Sequence, residues 1–442
     1  MAQAVETYEQ YETDFRKLQE QRAGKEPQWL TDLRDSGFER FLQFRFPVER
    51  KGNEGWKYTD VRPIARGSFD YPFDRAEVSA SALAARLPFD SGFIRIALVD
   101  GHFAPELSTG LDAPGIVVAP LSEAVRSQPQ LVEAHLGKYA QVNHDSFVGV
   151  NTAMHSDGAF IHAAQAVKTP VHVVYLTSDR GNPVTFPRAL VVASALNELT
   201  LVESYISLGD QNHFTDAVTE ITLEDGATVD HYRLLLENPN AFHVGHVRVN
   251  QGRDTNYANL SYETGGGLVR VDTDVLFDDT GSSAALRGLY VTSGDQHIDN
   301  LVTIDHAKPH NTSRLYYKGI LDGSSKAVFG GTVFVRPGAD KTDAYQEDKN
   351  LLLSREAEVD SKPALEIYAD DVKCGHGATA GAIAEDALFY MQSRGIDPEQ
   401  AMLFLVRGFA SEILDGVKLA ALRTWLDERT TLALPRFGER AG

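Results

Sequence analysis

Between residues 147 and 368, short apolar runs follow one another with turn residues between them and almost no helical period. The runs fall at 171–176, 189–195, 199–206, 217–223, 228–236 and 244–249, then at 255–262, 268–277, 284–291, 296–304, 313–320 and 326–335. Glu224-Asp225-Gly226, Asp279-Thr280-Gly281 and Asp322-Gly323-Ser324-Ser325 punctuate the series as turns. Alternation is uneven. Ala217, Thr219, Ile221 and Leu223 share one side of a run, opposite Val218, Glu220 and Thr222, whereas 199–206 divides less cleanly. A long train of strands without intervening helices predicts an all-β core, either a sandwich, a barrel or a β-solenoid. No crisp repeat motif selects among the three.

The flanks read differently. The first 45 residues are rich in Glu, Gln, Lys and Arg, and Phe38, Phe41 and Leu42 form a short helical stripe that Arg45 ends. A loop runs through Pro47 and Gly52 to Gly55-Trp56-Lys57-Tyr58-Thr59-Asp60, and 92–99 is the first clear strand, turning at Asp100-Gly101. Residues 121–139 look helical on either side of Pro129, with Leu131, His135 and Leu136 on one face. Beyond Cys374 the pattern is helical again. The segment 384–393 stops at Gly395, a C′ glycine. Asp397-Pro398-Glu399-Gln400 then supplies a cap, a first-position proline and a glutamine three residues on. Met402, Leu405, Val406, Phe409 and Ile413 make the stripe of that helix, and further helix runs through Leu419, Leu422 and Leu426.

Charge narrows the function classes. With 62 acidic and 42 basic residues the 442-residue chain carries about −20, which disfavours tracking a phosphate backbone and fits docking of a more basic partner. No stretch approaches the roughly 20 apolar residues that span a bilayer, and the N-terminus has neither a basic nor an apolar leader region. The expectation is a cytoplasmic protein that binds neither nucleic acid nor membrane.

Cys374 is the single cysteine, two residues from His376 in Asp371-Val372-Lys373-Cys374-Gly375-His376-Gly377. One thiol makes no disulfide within the chain and cannot hold an iron–sulfur cluster alone. In an extended segment positions i and i+2 face the same side, roughly 6–7 Å apart, so thiol and imidazole make a half-site for zinc or a cluster. The plainer reading is a small buried hydrophobe beside a satisfied histidine. Gly375 and Gly377 would let another backbone or a ligand come close. His243 with His246, and His306 with His310, lack a third ligand at useful spacing and read as structural. P-loop, GxSxG, HExxH and full GxGxxG motifs are absent, and Gly265-Gly266-Gly267 reads as a turn. The run 340–350 reads as a charged, solvated loop.

A family likeness rests on longer stretches. Ser313-Arg314-Leu315-Tyr316-Tyr317-Lys318-Gly319, Gln346-Glu347-Asp348-Lys349-Asn350-Leu351 and Lys362-Pro363-Ala364-Leu365-Glu366-Ile367-Tyr368 lead into Cys374-Gly375-His376-Gly377-Ala378-Thr379 and Ser393-Arg394-Gly395-Ile396. Together these resemble the SufB/SufD family of iron–sulfur cluster assembly proteins, over roughly 151–442, and 55–60 and 98–101 also fit. The lone cysteine, the length, the Trp-Lys-Tyr-Thr motif and the ending Gly408-Phe409-Ala410-Ser411-Glu412-Ile413-Leu414 look like the SufD branch. Gly375 departs from the serine common between cysteine and histidine in that family, which leaves both side chains in place and loosens the backbone between them.

The resemblance implies a right-handed parallel β-helix core flanked by N- and C-terminal helical domains. It divides the chain into an N-terminal helical region at 1–90, the β-helix at 91–373 with a helical insertion near 121–139, and a C-terminal helical domain at 374–442. It implies a non-catalytic scaffold that pairs with a SufB-like paralogue and docks a SufC-like ATPase on the helices around 397–414. A transient iron–sulfur cluster would form at the shared interface, with His376 the first candidate ligand and Cys374 the second, and no metal held by this chain alone. It leaves open a homodimer of the isolated chain and a flavin in the complex. Two other readings follow from an all-β core without the resemblance. A β-helical carbohydrate-active enzyme would need carboxylates clustered on one face, and a cupin-like metalloprotein would use His243, His246 and a distal ligand.

Overall fold

In the computed structural model, which describes residues 2–49, 51–143 and 145–434, successive strands alternate between two mostly parallel sheets. One sheet runs from Ile94–Val99 through Val171–Thr177, Glu198–Ser207, Thr228–Leu236, Asn256–Glu263, Ser283–Thr292, Thr312–Leu321 and Asp343–Leu352 to Lys373–Gly381. The facing sheet runs from Ala159–Ala163 through Arg188–Ala193, His213–Leu223, Ala241–Gln251, Leu268–Phe277, His297–His306 and Lys326–Val335 to Glu358–Ile367. This is a parallel β-solenoid of about eight turns, flanked by helices at both chain ends. From Thr228 onward, residues aligned across the first sheet (Thr228, Asn256, Ser283, Thr312, Asp343 and Lys373) recur every 27 to 31 positions. The repeat is therefore one of register, without a recurring residue motif. Gly226, Gly281 and Gly323 sit at turns with φ of 71°, 82° and 67°, a region that costs other residues dearly.

Three layers of burial explain the uneven alternation. A lumen core holds Val173, Tyr205, Val229, Leu286, Ile304 and Val333 between the sheets. A second apolar cluster joins the outside of the first sheet (Val202, Leu234, Leu289, Ile320) to the C-terminal helices (Val406, Ile413, Leu422, Leu426). A third joins the N-terminal segment (Tyr11, Phe15, Phe41, Trp56) to Phe186, Phe214 and Val244. Middle strands covered on both faces are buried on both, and His213–Leu223 is buried at every position, polar residues such as Asp216 and Glu220 included. Clean alternation returns where the covering ends, as in Asp343–Leu352.

Several elements differ from the sequence expectation. Ser146–Met154 is a helix, though strand character was expected from 147. All nine of its residues are buried, so it has no polar face to mark a helical period. It packs on Gln28–Phe44, where a Cβ on Gly37 would stand 2.7 Å from the Gly149 carbonyl oxygen, so glycine is required at that crossing. Residues 343–350 are strand, where a solvated loop was expected; Ala344, Gln346, Asp348 and Asn350 point inward, and three of these are polar. Lys373–Gly381 is the last strand of the first sheet, so Cys374 belongs to the solenoid and the helical region begins at Glu385. Residues 435–442 of the expected C-terminal domain lie outside the described residues. The capping expectations hold: Asp397 accepts from the Glu399 and Gln400 amides, Pro398 opens Pro398–Leu414, and Gly395 has φ 82°.

Candidate functional site

The solenoid ends in two strands with no neighbour beyond them among the described residues, Glu358–Ile367 on one sheet and Lys373–Gly381 on the other. Both are largely uncovered, in contrast to the buried strands behind them. Cys374 and His376 lie on the second of these. Cys374 aligns with buried Ala344 and packs against the rim of the lumen core, and His376 aligns with buried Gln346. Thiol and imidazole thus share the lumen side of a terminal strand, Cys374 half-buried and His376 exposed. Burial pushes the Cys374 thiol above its ordinary value, with Asp343 adding to the rise. The His376 ring makes no hydrogen bond or ion pair with any described residue.

The glycines serve the other side of the strand. Tyr345, aligned with Gly375 and nearly half exposed, lays its ring over the outer surface, and a Cβ on Gly375 would meet its Cδ2 at 3.4 Å. A polar layer lies just inside the pair. Gln346 Nε2 donates to the Ala364 carbonyl at 3.0 Å, joining Asp343–Leu352 to the terminal strand Glu358–Ile367, while its Oε1 is buried without a partner among the described residues. Asp348 Oδ2 accepts from Ser361 Oγ at 2.7 Å and Asn350 Nδ2 at 2.8 Å, and its Oδ1 is unpartnered. Desolvation lifts the Asp348 carboxyl to about 6. Sequence reasoning missed Gln346 and Asp348 because polar residues fill inward positions; the two-residue spacing of Ala344, Gln346, Asp348 and Asn350 was the available signal.

The other histidines do not converge. His243 is fully buried in the lumen, with Nδ1 2.7 Å from Glu237 Oε2 and Nε2 2.8 Å from Arg233 Nη2. His246, three residues on, faces the other side of its strand near Arg248, where desolvation depresses it to about 3. His306 is bonded to Ser313 inside the fold, and His310 is exposed on a turn. Among the described residues no three His, Cys, Asp or Glu side chains form a metal-holding group. Cys374 and His376 accordingly have no third side chain of these types grouped with them among the described residues.

Comparison with known proteins identifies the lineage. Residues 174–409 match the model of the SUF system FeS cluster assembly SufBD core domain, and residues 5–173 match that of the SufBD protein N-terminal region. The chain belongs to the SufBD family of iron–sulfur cluster assembly proteins. A SufBD family protein of Synechocystis is 31% identical over 417 residues, covering 91% of this chain and 90% of the relative. The SufD proteins of Escherichia coli and Bacillus subtilis are 29% and 25% identical, covering 88% and 91% of this chain and 90% and 93% of the relatives. With family membership and the separated histidines, neither the carbohydrate-enzyme nor the cupin-like reading has support. No described helix is long and apolar enough to cross a membrane.

Proposed function

We propose that the chain is a SufD-type scaffold subunit whose open solenoid end pairs with a SufB-like paralogue, the nascent cluster forming between them. The single observation behind this reading is the Cys374–His376 pair on the lumen side of an uncovered terminal strand. Such an edge offers free backbone donors and acceptors to a second chain, and a two-donor half-site needs ligands from that chain. His376 is the principal ligand of this chain, being exposed and without partners among the described residues, and Cys374 is secondary because burial disfavours its thiolate.

The C-terminal helices are proposed as the dock for a SufC-like ATPase, which would carry the nucleotide chemistry while this chain remains non-catalytic. Phe389, Tyr390 and Phe404 support that assignment, since they expose large apolar surface on Glu385–Ser393 and Pro398–Leu414. ATP would remodel the cluster interface by favouring one arrangement of the two scaffold subunits.

The test is co-expression with SufB and SufC partners followed by purification and cluster reconstitution. The complex should form with both wild-type and His376→Ala chains, and cluster yield should fall sharply only in the variant. Full cluster formation by His376→Ala would remove the assigned role.

A further inference from the structure

Near the first turns of the solenoid, remote in sequence from the terminal strands, four chain segments enclose a cavity of about 190 Å³. Its lining brings together Arg22, Lys25, Arg34 and Arg126, opposed by Glu26 and Asp157. Arg34 is only 5% exposed. Its Nε and Nη2 donate to the two Glu26 oxygens at 2.9 and 3.1 Å. Arg22 donates to the carbonyls of Ala153 at 3.0 Å and His155 at 2.6 Å. Glu26 therefore answers two guanidiniums, the second with its Nε 3.9 Å away. Asp157 is already engaged, accepting from Ser122 N, Ser122 Oγ and Gly158 N. His155, hemmed in by burial and these arginines, is held well below its usual range and adds no charge.

Capping explains part of this arrangement. Arg22 and Arg34 sit at the C-terminal carbonyls of Ser146–Met154, where a helix presents roughly half a negative charge. It does not explain Lys25 and Arg126, which stand exposed on the rim with no ion pair to any described residue. Nor does it explain a positive excess at one cleft of a chain whose net charge is −20. The volume helps decide the ligand. It equals several waters at roughly 30 Å³ each and falls short of the roughly 300 Å³ at which drug-sized ligand pockets begin.

We propose that this cleft binds a small multivalent oxyanion, its phosphoryl or carboxylate groups contacted by Lys25 and Arg126 and held in the field of Arg22 and Arg34. The site is independent of the terminal strands, and its test does not depend on the cluster chemistry.

The experiment uses the full chain at low ionic strength, with inorganic phosphate, pyrophosphate and tricarballylate as probes in calorimetric titration and thermal melting. At least one probe should bind and raise the melting midpoint, and the phosphate and carboxylate arms distinguish the two ligand sources. Lys25→Ala/Arg126→Ala should weaken binding by about tenfold, the equivalent of two exposed charge-assisted contacts. Lys25→Arg/Arg126→Lys should bind within about threefold of wild type. Lys168→Ala/Lys308→Ala, which removes two exposed lysines elsewhere, should bind as wild type. Failure of every probe to bind overturns the proposal. So does wild-type affinity in the rim variant, or an equal loss in the remote pair.

Discussion

Lys318 Nζ lies 2.7 Å from Glu412 Oε2, joining a solenoid strand to the helix Pro398–Leu414. The same ammonium donates to the Phe409 carbonyl at 2.9 Å and sits 4.1 Å from the Phe409 ring centroid, while Tyr316 donates its hydroxyl to Glu412. The Lys318 side chain is 1% exposed and that of Glu412 58%, so the two partners are not equivalent. Lys318→Ala removes a buried ammonium together with its hydrogen bond to the Phe409 carbonyl and its contact with the Phe409 ring, and should cost about 1–3 kcal/mol. Glu412→Gln should cost less than about 1 kcal/mol. Denaturant melts measure both, and faster amide exchange across 398–414 should accompany the first substitution only. A larger loss from Glu412→Gln would show that the exposed carboxylate, and not the buried lysine, holds the helix.

Glu220 and Arg188 form an ion pair with both side chains fully buried. Glu220 also accepts from the amides of Gly137, Tyr139 and Ala140 at 2.9–3.0 Å, fixing the loop after the helix Pro129–His135. Arg188 donates to Asn151 and Thr152, tying the buried helix to the sheet. Glu220→Ala strands a buried guanidinium and three amides, so a loss of about 3–5 kcal/mol is expected. Urea unfolding would test this, and a change below 1 kcal/mol would mean that the pair is solvated and weak.

Three strands read from the sequence coincide with the observed ones. Residues 228–236, 268–277 and 326–335 match end to end. Periodicity alone left the solenoid beside a sandwich and a barrel, because its repeat lies in the alignment of Thr228, Asn256 and Ser283 across turns and not in recurring residue types; the parallel β-helix implied by the family resemblance is the fold observed. Cys374 and His376 were visible as an isolated pair. Their setting was not, since Gln346 and Asp348 put polar side chains where an inward position ordinarily carries an apolar one. The helix Ser146–Met154 escaped for the opposite reason: with all its sides buried, it shows no amphipathic period.

Asp348 makes stability depend on pH in an unusual direction for a carboxylate. Its folded value of about 6 lies above the ordinary 3.8, so between those values the native chain binds the extra proton. Its contribution to stability therefore rises as pH falls from 7 towards 4, by at most about 3 kcal/mol. Buried histidines such as His246, depressed to about 3, act in the opposite sense below their unfolded value. Comparison with Asp348→Asn isolates the carboxylate. The variant should gain stability relative to wild type at pH 7.5 and lose that advantage near pH 4, as read from urea midpoints across the range. A pH-independent difference between the two proteins would assign Asp348 an ordinary carboxylate value.

Cys374 offers the sharpest contrast with its neighbour. Its thiol is raised above the usual value by burial against the lumen rim, whereas His376 stands exposed without a partner among the described residues. Alkylation by iodoacetamide should therefore be slower than for an unhindered cysteine at pH 7.5, and its rate should still be climbing past pH 9. Mixing with a SufB-like partner should suppress the labelling if the terminal strand is the pairing edge. In cluster reconstitution Cys374→Ser should retain most of the yield, since the serine keeps the packing and removes a group that is mostly protonated. His376→Ala should lose more, by about tenfold or greater, in line with loss of a metal-site ligand or its support. The reverse order of severity would make the cysteine the working ligand, and unchanged labelling in the complex would move the interface away from this strand.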